Sequence, residues 1–106
     1  MKKGDARSVI QEEFNDLLLT GNYAIHHVFP GNGRRKLCEK YGFLVAVRPE
    51  MHREIHDETA VGQYVSDVFR RECYEFYLEH IGTKEQFVAE FGGIPKSYWE
   101  IAEAIT

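Results

Sequence analysis

Ile25-His26-His27-Val28-Phe29, then Phe43-Leu44-Val45-Ala46-Val47, then Pro49-Glu50-Met51-His52-Arg53-Glu54-Ile55-His56 are the stretches from which the fold is read. The first two are rich in β-branched and aromatic residues, the composition of strands. The first strand is expected to run from Tyr23 to Phe29, after the turn signal Thr20-Gly21-Asn22, and Pro30-Gly31-Asn32-Gly33 breaks it. Tyr41-Gly42 precedes the second strand, and Pro49 ends it. With Pro near the first helical position and Glu50 in the first turn, the third stretch starts a helix. Four of the five histidines fall in this span. His52 and His56, four apart, share a helical face. Neighbours in a strand point to opposite faces, so one of His26 and His27 leaves the core. If the strands form a hairpin and the helix packs over it, His27 or His26 converges with His52 and His56 on one pocket. Neutral imidazoles placed this way suit a divalent cation and a general base.

On the N-terminal side, Ala6 to Leu19 carries Val9, Ile10, Phe14, Leu17 and Leu18 at near-helical spacing, although Asp16 to Thr20 also fits a short strand. On the C-terminal side, Tyr64, Val65, Val68, Phe69, Phe76 and Tyr77 recur at helical spacing from Val61 onward. Tyr64, Phe69, Phe76 and Tyr77 are expected to cover the hairpin. Two capping boxes follow, Thr83-Lys84-Glu85-Gln86 and Ser97-Tyr98-Trp99-Glu100, with Gly92-Gly93 ending the first of their helices and Pro95 between them. The whole predicts an α+β fold in a single domain, 1–106, with the hairpin and its helix at about 22–58 and a helical tail at about 59–106.

A chain of 106 residues suffices for one core and not for two. With 43% apolar and 28% charged residues it is too apolar to be disordered. Apolar runs such as Leu17-Leu18-Leu19 are far shorter than the roughly 18 to 20 residues of a membrane span. Met1-Lys2-Lys3-Gly4-Asp5 leads into no apolar signal segment, so a cytoplasmic location is expected. Cys38 and Cys73 form no Cys-x-x-Cys pair and are expected to be free thiols. The net charge of −4 speaks against nucleic acid until its distribution is considered. From residue 34 to 53, six basic residues (Arg34, Arg35, Lys36, Lys40, Arg48, Arg53) face two acidic ones, Glu39 and Glu50. This basic run lies between the histidines. In Gly31-Asn32-Gly33-Arg34-Arg35-Lys36, expected to be a loop, glycines let the backbone approach phosphates that the following cations neutralise.

Taken together, Ile25-His26-His27-Val28-Phe29, Gly31, Arg34-Arg35, Tyr41-Gly42, the second strand, Pro49-Glu50-Met51-His52 and Ile55-His56 resemble the HNH, or ββα-metal (His-Me finger), nucleases. The likeness is to short phage and prophage members and covers about residues 24 to 58. It implies a ββα-metal core and a metal-dependent endonuclease that hydrolyses DNA phosphodiester bonds, nicking duplex or branched DNA. His27 matches the general base; His26 and His52 match ligands of one divalent ion, Mg²⁺, Mn²⁺, Ni²⁺ or Zn²⁺. His56 is a further candidate ligand, a phosphate contact or a bystander, and Arg34, Arg35, Lys36, Lys40, Arg48 and Arg53 are the candidate DNA contacts. The middle Asn of the family's name has no counterpart, since Asn32 lies too early and Tyr41-Gly42 stands before the second strand. Two other functions fit the same residues: a non-catalytic nucleic-acid-binding protein on this fold, and a zinc-stabilised interaction module held by His26, His52 and His56.

Overall fold

The computed structural model describes residues 7–31 and 33–93. The chain is built as α1 (Phe14–Leu19), β1 (Ala24–His27), α2 (Arg34–Tyr41), β2 (Leu44–Val47), α3 (Pro49–His56), α4 (Ala60–His80) and α5 (Lys84–Phe91). It is a mixed α+β architecture in which the only sheet among the described residues has two strands. They are antiparallel, with Ile25 opposite Ala46, His26 opposite Val45 and His27 opposite Leu44. Both strands are shorter than the sequence implies, although Val28 N–H still donates to the Phe43 carbonyl at 3.1 Å just beyond them.

So small a sheet exposes two edges, and the N-terminal segment closes one. The Gln11 side-chain oxygen accepts from Ala46 N–H at 2.8 Å, and its amide nitrogen donates to the Ala46 carbonyl at 3.3 Å. One side chain thereby replaces a third strand at that position. Residues 14–19 resolve as helix, so the strand alternative for Asp16 to Thr20 is not adopted.

The connection between the strands departs most from expectation. Gly31 to Lys36 is not a loop throughout: from Arg34 the chain is helical, and α2 runs to Tyr41. Its buried side is Leu37, Cys38 and Tyr41, three apolar positions at helical spacing within a run of charges. Gly42 ends it in the left-handed conformation, φ 78°, and a Cβ there would come within 3.0 Å of Val9 Cγ1 and closer still to the Arg7 carbonyl oxygen. Only glycine meets both demands.

α3 begins at Pro49 as expected, and α5 carries the full Thr83–Gln86 capping box and a left-handed Gly92. The second capping box, with Trp99, lies outside the described residues. Phe29, Phe43, Phe87, Phe91 and Tyr77 form the aromatic centre, with Phe87 and Phe91 stacked at 4.6 Å. Tyr77 is buried and Phe69 and Phe76 are half-buried against that core. Tyr64 is 71% exposed and does not cover the hairpin. No helix among the described residues is long and apolar enough to cross a membrane.

Glu90 ties α5 to the rest. Tyr41 Oη donates to both its carboxylate oxygens, at 2.7 and 2.6 Å, and Tyr77 Oη also donates to it. Burial pushes the Glu90 carboxyl up, but the two hydroxyl donors and nearby Lys40 outweigh it and hold the group below its ordinary value near 4.5. Burial and the same contacts push the Tyr41 phenol up to about 12. A carboxyl depressed in the folded state contributes stability above the unfolded value and loses it as pH falls through the folded value. Thermal unfolding followed below pH 5 is therefore expected to show an acid limb that Glu90→Gln flattens; an unchanged limb would remove Glu90 from the acid response.

Candidate metal and nucleic-acid site

The pleat of β1 separates its two histidines. His26 points inward and is 5% exposed, while His27 lies on the opposite side with its side chain 17% exposed. α3 packs beside β1 and brings His52 to His26, with ring centroids 6.0 Å apart and planes at 70°. One turn on, His56 Nε2 lies 3.1 Å from His52 Nε2. α3 is seated by a close crossing with α4: at Gly62 a Cβ would be 2.8 Å from the Ile55 nitrogen and nearer still to the Glu54 carbonyl. The side chain of Thr59, the α4 N-cap, accepts from Gly62 N–H at 3.1 Å.

All four histidines line one cleft of about 560 Å³. His26 Nε2 is buried without a hydrogen-bond partner among the described residues. Burial, and then the fields of His52, His56, Arg70 and His27, lower the His26 pKa to about 4. Burial and His56 also lower that of His52. Both rings are therefore neutral near pH 7, the state in which an imidazole nitrogen can bind a cation. Among the described residues, no three His, Cys, Asp or Glu side chains are gathered into a group set to hold an ion. What is present is an open set of neighbouring imidazoles. A buried, unpartnered Nε2 on a ring that neighbours a second neutral imidazole fits a divalent ion in donor chemistry, with the remaining positions left to water and substrate oxygens.

Cations from two elements meet at this cleft. Arg35 lines it from the first turn of α2, and Arg70 lines it from the middle of α4. Arg70 Nε donates to the Val28 carbonyl at 3.4 Å, which fixes the guanidinium beside the end of β1. Arg34 lines a neighbouring cavity of about 320 Å³ that shares Arg70 and Pro30 with the first. Lys36, Lys40, Arg48 and Arg53 are exposed and line neither cavity. Lys40 instead lies 5.1 Å from the Tyr41 ring centroid.

Two contacts at the site have no signal in the sequence. Arg70 sits in the middle of a long helix, 42 residues from its acceptor. Glu39, an acidic residue in a basic run, places Oε1 3.3 Å from His27 Nε2. Compared with known protein families, with curated proteins and with solved structures, the chain shows no significant match.

Proposed function

We propose that this chain is a metal-dependent endonuclease that nicks DNA, with β1, β2 and α3 serving as a ββα-metal core. The observation that carries the proposal is the buried, unpartnered Nε2 of His26, whose ring neighbours that of His52 beside a cleft lined also by His27, Arg35 and Arg70. His26 and His52 would hold one divalent ion, Mg²⁺, Mn²⁺, Ni²⁺ or Zn²⁺, with His56 next to His52. When bound, that ion supplies Lewis-acid neutralisation of charge building on the phosphate. Arg35 and Arg70 bind phosphate oxygens, a task to which the planar guanidinium fork is suited. His27, on the other face of β1, accepts a proton from water as the water oxygen bonds to phosphorus. The bond from phosphorus to the 3′ oxygen breaks and that oxygen takes a proton from solvent, giving 5′-phosphate and 3′-hydroxyl ends. The basic first turn of α2 supports DNA as the substrate, since guanidinium and ammonium groups there neutralise the backbone.

Supercoiled plasmid incubated with the protein and each of the four ions in turn is expected to convert to open circles, and chelation should stop the conversion. No conversion with any of the four would overturn the proposal. Binding to duplex DNA is expected to weaken steeply with salt, and Arg35→Ala with Arg70→Ala should reduce the slope of log K against log salt by about 0.9 per lost phosphate contact. An unchanged slope would remove both arginines from the phosphate contacts.

A further inference from the structure

We infer that Glu39 is the positioning residue of His27, setting which ring nitrogen carries the proton and which one is left to act as base. The inference rests on the nuclease reading only for the consequence in cleavage; the contact itself belongs to the fold. α2 is fastened to β1 through the residue next to Glu39. Phe29 N–H donates to Cys38 Sγ at 3.3 Å, the Cys38 thiol donates to the Phe29 carbonyl at 3.4 Å, and Cys38 is fully buried. Phe43 N–H donates to the Cys38 carbonyl at 2.8 Å, which ties the same residue to the start of β2. Residue 38 is thus held against residue 29, two places beyond His27, and the next side chain along α2 reaches the His27 ring at 3.3 Å.

An ionised carboxylate only accepts. The proton shared with Glu39 therefore sits on His27 Nε2, and the lone pair is on Nδ1. A hydrogen bond at one imidazole nitrogen fixes both the tautomer and the direction in which the other nitrogen points. Glu39 is 52% exposed, so the pair contributes little to holding the fold together. Loss of Glu39 is accordingly a loss of orientation, separable from unfolding.

The experiment uses Glu39→Ala, Glu39→Gln and Glu39→Lys in the full chain. Glu39→Ala is expected to lower kcat for plasmid nicking by about 10- to 100-fold with KM unchanged. Glu39→Gln, whose amide oxygen still accepts from Nε2–H, should recover most of that loss. Glu39→Lys presents only donors, so Nε2 must accept and the proton moves to Nδ1. This variant should bind DNA at least as tightly as the parent, because α2 gains positive charge, yet cleave most slowly. Long-range ¹H–¹⁵N spectra of the His27 ring in the metal-free protein, at a pH where the ring is neutral, provide a readout independent of cleavage. The parent and Glu39→Gln are expected to show Nε2–H, and Glu39→Lys to show Nδ1–H. The same His27 spectrum in parent and Glu39→Lys, or Glu39→Ala nicking at the parental rate, overturns the inference. A parent that never nicks, combined with the tautomer change, supports the positioning role and removes the nuclease reading alone.

Discussion

Replacing His27 by alanine is expected to slow plasmid nicking by about 10²- to 10⁴-fold, the range that a positioned general base contributes, while divalent-ion affinity stays at the parental level. The two effects separate because β1 separates the two rings. His26 faces inward to His52, whereas His27 faces the other way and meets Glu39. His26→Ala and His52→Ala are each expected to lower both ion affinity and nicking, since each removes a neutral imidazole from the open donor set. Nicking assays for each variant, beside calorimetric titration with Mn²⁺ or Zn²⁺, distinguish the cases. Parental nicking by His27→Ala would sink its assignment as base. His56 contacts His52 through Nε2 and is exposed, so His56→Ala is expected to lower ion affinity less than His52→Ala.

The largest expected effect on stability is at Gly62. Helix propensity alone favours alanine there, by up to about 1 kcal/mol in a helix interior. Packing opposes it. The added methyl would stand 2.8 Å from the Ile55 nitrogen and nearer to the carbon and oxygen of the Glu54 carbonyl, all backbone atoms that cannot rotate aside. α3 and α4 would have to part, and overpacking of this kind costs about 1–3 kcal/mol, with an unyielding neighbour placing the site at the upper end. After the propensity gain, a net loss of about 2 kcal/mol corresponds to a fall in Tm of roughly 8 to 16 °C for a domain of this size. The same displacement moves His52 and His56 away from His26. Gly62→Ala is therefore expected to lose about 100-fold in nicking even where it remains folded, the order expected for an ångström of misplacement. A Tm at or above the parental value would show that the helices separate without cost.

The hairpin and α3 were legible because β-branched runs, turn residues and Pro49 each signal locally. The i, i+4 pair on α3 needed only helical periodicity to place His52 beside His56. α2 was not legible as a helix. Its three apolar positions lie among Arg34, Arg35, Lys36, Glu39 and Lys40, so the pattern of a charged connection dominates. Tyr64 departs from expectation for a different reason. Periodicity says which residues of α4 share a face, not what stands opposite, and near the first turns of α4 both Val61 and Tyr64 remain exposed. The same limit hid Arg70 and Glu39. A charge in a sequence has a sign and a position, but its partner depends on how β1, α2 and α4 meet.

The fastening of α2 through Cys38 also makes the chain its own stopwatch. Burial pushes the Cys38 thiol up to about 11, and burial, with Cys38 and Glu72 nearby, raises that of Cys73 further. Neither is a thiolate at neutral pH, and both are buried, so an alkylating reagent reacts only when the chain opens. Cys73 lies in the long helix α4, and its modification reports opening of the core. Cys38 is exposed either by that event or by α2 alone coming away from Phe29. The ratio of the two alkylation rates thus measures how often the His27 side of the cleft comes apart while the rest of the molecule stays shut.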